Sequence, residues 1–389
     1  MTKLNTTSET SNVEIGKSLL AVFSDLPDPR SARGIRHKLS DIVVISILAF
    51  ICGADDYVDI RTYGLANEAW LRTFLELEHG IPSVDTLERV FAILQPEAWQ
   101  GTFLDWTRHT VLGLEDEDGG DDIIAIDGKT ACSSGTANQA ALHTVSAWAS
   151  QGGIVLGQET VASKSNEITA IPELLSVLAP AGAVVTCDAM GTQKDIAWTI
   201  REYHADYLLA LKDNHPKLHQ DAQWLFDQAE QYPDTLASYS STESRSANNY
   251  DRRECWVIDD LSFLELHTHN AWRDLTSLVK VRRTYQQRGE THTQDRFYLS
   301  SLPADAERAL HAARSHWGIE NQLHWVLDVV FKEDASQVHR GNAQANLVSL
   351  RHTALNILKQ DRSSKASIKS KRKRAGWDRD YLLTLLGLG

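Results

Sequence analysis

Three acidic side chains carry the chemistry open to this chain. Asp127 follows the apolar run Ile123-Ile124-Ala125-Ile126, and Asp188 follows Ala183-Val184-Val185-Thr186-Cys187. Each run is short, continuous and rich in β-formers, so each predicts a buried central strand ending in an acid. Glu320 lies in the stretch His316–Phe331, where Trp317, Glu320, His324, Asp328 and Phe331 fall on one stripe at helical period. Acids and an imidazole on the apolar stripe of a Trp-rich helix are costly to desolvate, unless they pair, bind a cation or do chemistry. Taken singly, each acid has a plain reading: strand-end aspartates cap turns, and a rim glutamate pairs with Arg or Lys. Taken together they read differently. Acids at the carboxyl ends of neighbouring strands share one edge of an α/β sheet, where such folds build their sites. Three carboxylates meeting there repel unless cations neutralise them. Oxygen donors without a Cys or His cluster suit Mg²⁺ or Mn²⁺ and argue against zinc. The matching chemistry is two-metal phosphoryl transfer, one ion activating a water or 3′-hydroxyl and the other stabilising the leaving oxygen.

The elements around these acids read as an α/β layer with a mixed sheet. After Asp127-Gly128-Lys129, residues 141–149 and 154–161 form a hairpin around Gly152-Gly153. Lys164-Ser165-Asn166-Glu167 leads into a helix over 170–178, with Pro172 in its first turn. Beyond Asp188 come a helix over 192–204, a strand from Tyr207 to Leu211, and Lys212-Asp213-Asn214 at its end. Residues 235–300 break the alternation and read as a β-rich insertion carrying Lys280, Arg282, Arg283 and Arg288. Helices return over 301–360, with Arg314 just before the Glu320 stretch, and 361–389 form a basic tail. The segment from Lys359 to Arg374 holds eight Lys or Arg residues and one acid, Asp361.

Upstream, residues 1–15 read as disordered and 16–115 as a helical N-terminal domain, closed by the acidic linker Glu115-Asp116-Glu117-Asp118-Gly119-Gly120. A basic loop, Leu26–Lys38, contributes Arg30, Arg33, Arg36 and Lys38. Asp41 is placed to N-cap the apolar helix that follows. An amphipathic helix over 67–78, the turn Ile81-Pro82, a cap at Ser83 and a helix from Val84 to Leu94 outline a helix-turn-helix. Ser83, Asp85, Thr86 and Arg89 would then point toward a DNA groove. Many helical hairpins share that outline without touching DNA.

The chain has 389 residues and a formal net charge of −13, so a polyanion partner has to be gripped by local basic patches, and Arg30, Arg33, Arg36, Lys38, Arg89, Lys129, Lys164, Lys212, Arg282, Arg283 and Arg314 are the expected DNA contacts. Cys52, Cys132, Cys187 and Cys255 are widely spaced and read as reduced thiols. Val43–Cys52 is too short to span a bilayer, and the start of the chain has no signal-peptide pattern, so a cytoplasmic protein is expected.

Ile126-Asp127-Gly128-Lys129, Lys164-Ser165-Asn166-Glu167, Cys187-Asp188-Ala189-Met190 with Gln193, Leu211-Lys212-Asp213-Asn214 and the whole His316–Phe331 stretch resemble the H-repeat-associated insertion-sequence transposases of the DDE class. The likeness runs from about Leu26 to Lys359 and includes Arg340-Gly341-Asn342-Ala343 and Leu350-Arg351-His352. It implies an RNase H-like core whose metal-binding triad is Asp127, Asp188 and Glu320, supported by His316, Trp317, Asn321, His324 and Asp328. It also implies an N-terminal domain that recognises transposon ends, double-stranded DNA as partner, a homodimer on that DNA, and association with the nucleoid. Related enzymes carry Tyr and Arg upstream of the glutamate and Lys downstream. Those positions here are Ala313, His316 and Leu327, so Arg314 or Lys332 is expected to substitute. Where a His-Gly-Arg-x-Glu-type segment is expected in the insertion, the chain reads Ala247-Asn248-Asn249-Tyr250-Asp251-Arg252-Arg253. A structure-specific Mg²⁺ nuclease, or a DNA-binding relic without catalysis, remain the alternatives to an active transposase.

Overall fold

A computed structural model of the protein describes residues 21–386 apart from 22, 32, 112–121, 136–140, 162–166, 231–235, 247–248, 263, 265–270 and 288. Residues 1–15, expected to be disordered, the acidic linker, Lys164 and Arg288 therefore lie outside the described residues. The frame is a single sheet built from β1 (Ile123–Thr130), β2 (His143–Ala149), β3 (Ile154–Val161), β4 (Val184–Cys187), β5 (Asp206–Leu211), β6 (Ala237–Ser246), β7 (Asn249–Ile258), β8 (Ser277–Gln287) and β9 (Glu290–Ser300). Its strand order is β3-β2-β1-β4-β5-β9-β8-β7-β6. β1, β4 and β5 run parallel, while β1-β2-β3 is an antiparallel meander, the RNase H-like arrangement. β9 pairs antiparallel with β5, so the β-rich segment extends the sheet.

Helices cover both faces. On one lie α5 (Glu167–Leu178), α6 (Lys194–Glu202) and α7 (Pro216–Ala229). On the other, α8 (Ala306–Gly318) packs alanines against Val184, Val257 and Val279. α5 starts earlier than the sequence suggests, which puts Pro172 inside the helix.

The N-terminal helices are α1 (Leu39–Ile51), α2 (Tyr57–Leu71), α3 (Val84–Ile93) and α4 (Pro96–Val111). α1 is apolar around its circumference and accordingly buried around it. Phe23, Trp99 and Trp106 share one core with Trp148, Ile319 and Leu355, so this region is continuous with the rest of the fold. Asp41 does not cap α1. It sits in the first turn, buried, and accepts the Leu77 N–H at 3.2 Å. Desolvation raises its carboxyl above the usual range. α2 ends at Leu71, so the helix expected over 67–78 is only its last turn. Ser83 does cap α3, accepting from the Thr86 N–H.

α10 (Ala343–Gln360) runs buried through the centre. The expected basic tail is instead folded into α11 (Ile368–Trp377) and α12 (Arg379–Leu385), with Lys371 and Arg372 buried. Among the described residues, no helix is long and apolar enough to cross a membrane.

Candidate active site

The sheet register brings the two aspartates together. Ile126 of β1 pairs with Cys187 of β4, so Asp127 and Asp188 each lie one residue past the same rung, at the carboxyl edge. Backbone donors hold both. Asp127 Oδ1 accepts the Gly128 N–H at 3.0 Å, and Asp188 Oδ1 accepts the N–H groups of Met190 and Gly191 at 2.9 and 3.1 Å. Burial pushes the Asp127 carboxyl up to about 7, with Asp188 and then Glu320 adding repulsion against the Gly128 donation. Behind β1, His143 Nε2 meets Glu167 Oε1 at 2.5 Å and His143 Nδ1 meets Thr130 Oγ1 at 2.7 Å. A Cβ at Gly128 would overlap both His143 and Glu167, which explains glycine between Asp127 and Lys129.

Glu320 enters from a widened turn. Residues Ile319–His324 form a π-helical segment between α8 and the short α9 (Trp325–Val329). Such segments recur at functional sites because the extra residue re-aims the side chains around it. The single stripe read at 3.6 residues per turn consequently splits. Trp317 and Glu320 face a cleft, His324 Nδ1 stands 3.6 Å from Asp127 Oδ2, and Asp328 turns to Lys129 at 2.7 Å. Phe331 is fully buried. Burial brings His324 and His316 each down to about 4, so both are neutral imidazoles near neutral pH. His316 Nδ1 is 3.0 Å from Thr186 Oγ1, which anchors the helix to β4. Burial raises the Glu320 carboxyl, while Arg296 and Lys212 pull it back and Asp188 pushes it up again. The three acids thus act on one another through space. Among the described residues, however, no three His, Cys, Asp or Glu side chains are gathered closely enough to hold a metal ion, so the cluster is open.

Glu320 borders a cleft of about 520 Å³ whose lining includes Arg253, Arg283, Arg296, Arg314 and Asn321. Asn321 donates to the Trp317 carbonyl at 2.9 Å. Lys212 is exposed at the end of β5, near enough to lower Glu320.

Several expected contacts are redirected. Lys129 faces Asp328, Glu333 and Asp334 at 2.7, 3.3 and 3.2 Å, so its charge is neutralised within the fold. Burial alone would lower Lys129, but those carboxylates outweigh it and hold it above its ordinary range. Arg282 is clasped by Asp295 at 2.8 Å and Glu230 at 3.3 Å, on the sheet face opposite Glu320. Lys332 pairs with Asp55 at 2.8 Å and so does not take the position of the missing downstream lysine. Arg30 is held by Asp28 and the His37 carbonyl, and Lys38 by Glu76. Arg33, Arg36 and Arg89 remain exposed and line a second groove, of about 610 Å³, with Thr86 and Ser83.

Arg296 is the residue that sequence reasoning missed. Alternation along Arg296-Phe297-Tyr298-Leu299 separates its face from that of Phe297, but nothing local says that this face meets the Glu320 helix.

A carboxyl raised from 3.8 to about 7 takes its proton first in the folded state. The metal-free fold should therefore be stabilised below about pH 4 to 5 and lose that stability as pH rises through about 7. The expected urea midpoint in chelator falls between about pH 4 and 7 more steeply for the unaltered protein than for Asp127→Asn. Parallel pH profiles would contradict this placement of charge.

Comparison with known proteins shows the family. The transposase DDE domain family matches residues 101–357, and the DDE-transposase-associated family matches 20–107. The "putative transposase YncI" of Escherichia coli O157:H7 is 37% identical over 380 residues, covering 95% of this chain and 94% of its own. The "H repeat-associated putative transposase YhhI" of Escherichia coli (strain K12) is 37% identical over 378 residues, covering 95% and 98%. A solved piggyBac transposase synaptic complex with hairpin DNA aligns over 97% of this chain and 78% of its own, with a TM-score of 0.44 and 10% identity, too distant to carry an argument. The chain belongs to the DDE transposases, in their H repeat-associated branch.

Proposed function

We propose that the protein cleaves DNA at the ends of its element and joins the freed 3′-hydroxyl to a target, with Asp127, Asp188 and Glu320 as its metal-binding acids. The observation that carries this is the β1–β4 register, which sets Asp127 and Asp188 one residue past the same rung, where burial, Asp188 and Glu320 push the Asp127 carboxyl up to about 7. Such a cluster is unfavourable as three anions and becomes favourable around a cation. Its donors are all carboxylate oxygens, which fits Mg²⁺ or Mn²⁺. When bound, those ions would activate a water or 3′-hydroxyl and stabilise the leaving oxygen. The chain's own share is positional. The backbone N–H groups of Gly128, Met190 and Gly191 orient the aspartates, neutral His324 buttresses Asp127, and Arg296 and Lys212 supply positive field beside Glu320.

Duplex ends would be gripped by the N-terminal groove, where Arg89, in the middle of α3, would reach a base edge. Replacing Arg33, Arg36 and Arg89 by Ala should weaken duplex binding and lower the salt slope by about 0.9 for each phosphate no longer neutralised. A titration across salt concentrations that returns the unaltered slope would remove the groove from the interface. The deciding experiment for the whole reading incubates the protein with its own flanking DNA and Mg²⁺. Nicks at the element ends followed by strand-transfer joints are expected. Nicks without joints favour the structure-specific nuclease, and binding without nicks favours the relic. Two copies on paired ends would give the homodimer, which sedimentation of the DNA complex reads directly.

A further inference from the structure

The basic residues of the sheet extension sort by face. Lys280 and Arg282 point to one side and are neutralised there by Glu230 and Asp295. Arg253, Arg283 and Arg296 point to the other, into the cleft that Glu320 borders. Arg253 and Arg283 are cross-strand partners, and Arg296 pairs with Val281 one rung pair away. With Arg314 they set four guanidinium groups against two carboxylates, Asp251 and Glu320, so the lining is net positive on a chain of net charge −13.

The cleft is built rather than incidental. Asp251 holds the forks of Arg253 and Arg283 at 3.0 and 2.7 Å. The Arg296 guanidinium lies 4.0 Å from the centre of the Trp317 ring, which limits its freedom before any ligand arrives. Arg253, Arg283 and Arg296 are half-buried, whereas Arg33, Arg36 and Arg89 of the N-terminal groove are exposed. The Arg253 side chain is the recessed one at 20% exposure, Arg283 is more open at 41%, and both stand over an apolar floor of Val281, Tyr298 and Ala313. Planar forks pair with phosphate oxygens two at a time, and a positively charged groove that tracks the backbone is a recurring part of single-strand sites.

We propose that this cleft seats a single DNA strand whose phosphates rest on Arg296, Arg253 and Arg283 as it leaves the Glu320 carboxylate. The assignment rests on the reading of the chain as a DNA-cutting enzyme. Trp317 is the positioning residue for Arg296.

The test uses full-length protein in chelator, with fluorescence anisotropy on a short unstructured single-stranded oligonucleotide and, separately, on an element-end duplex. Arg296→Gln and Arg253→Gln should each weaken single-strand binding about tenfold and lower its salt slope by about 0.7, with duplex affinity unchanged. Arg314→Gln, at the exposed rim, should give a smaller loss and guards against misfolding of the recessed variants. Trp317→Phe should retain single-strand affinity and Trp317→Ala lose it. The proposal is overturned if the unaltered protein does not bind the single strand, if all these variants bind it normally, or if single-strand and duplex binding fall equally. Failure of the functional reading looks different: cutting would survive Asp127→Asn while Arg296→Gln still lost the single strand.

Discussion

Replacing Asp127 or Asp188 with Asn should reduce metal-dependent cleavage of element-end DNA by about a thousandfold or more and leave DNA binding intact. A metal held by carboxylates contributes several kcal/mol to stabilising developing charge, and each 1.36 kcal/mol is about a factor of ten in rate. Asn keeps the shape and can still accept the Gly128 N–H, or those of Met190 and Gly191. It removes the anion. Duplex affinity should hold or rise slightly, because a negative charge next to the phosphates is gone. The contrast between the two readouts gives the prediction its force. A general loss of fold would lower both, whereas loss of a metal ligand lowers cleavage alone. Single-turnover cleavage at saturating protein, with anisotropy on the same duplex, measures both, and cleavage by either variant at an undiminished rate would refute the mechanism. Glu320→Gln should fall in the same class.

Much of this site is legible in the sequence. Two apolar runs ending in Asp127 and Asp188 read as buried strands; β4 does end at Cys187, whereas β1 runs on through Thr130 beside β2, so Asp127 lies inside it. The acid on the His316–Phe331 helix is equally plain from spacing. What spacing cannot carry is the π-helical segment over Ile319–His324, since period analysis assumes a constant turn. That one extra residue sends Asp328 to Lys129 and leaves Glu320 at the arginine cleft. Arg296 is hidden for a related reason: its partner face is set by the pairing of β9 with β5, strands far apart in sequence. Lys129 and Arg282 read as DNA ligands because a lone cation in sequence carries no record of which acids fold beside it.

The C-terminal basic run shows the same limit most sharply, and it yields the second large effect. Composition suggests a solvated tail, yet Arg372 is buried where three segments meet. Its Nε donates to the Phe50 carbonyl at 3.0 Å and its Nη2 to the Ala54 carbonyl at 2.8 Å, at the end of α1. Its Nη1 donates to the Val330 carbonyl, just past α9, and the guanidinium stacks 4.2 Å from the Phe331 ring centre. Asp55 lies 3.4 Å away as counter-charge. Helix ends leave carbonyls without partners, and here one planar fork serves two such ends together. Arg372→Ala strands those buried carbonyls, each at about 1–3 kcal/mol, while Asp55 keeps Lys332 as partner, so a destabilisation of roughly 3–5 kcal/mol is expected. Lys, with a point charge instead of a fork, should recover only part of it. Charge reversal at the exposed Lys369 and Lys373 should leave stability within about 0.5 kcal/mol. Urea unfolding followed by tryptophan fluorescence separates the cases, and cleavage should fall with Arg372→Ala because the clamp ties the Glu320 helix to the N-terminal helices. An unfolding midpoint for Arg372→Ala matching that of the unaltered protein would mean that the tail contributes nothing to the core.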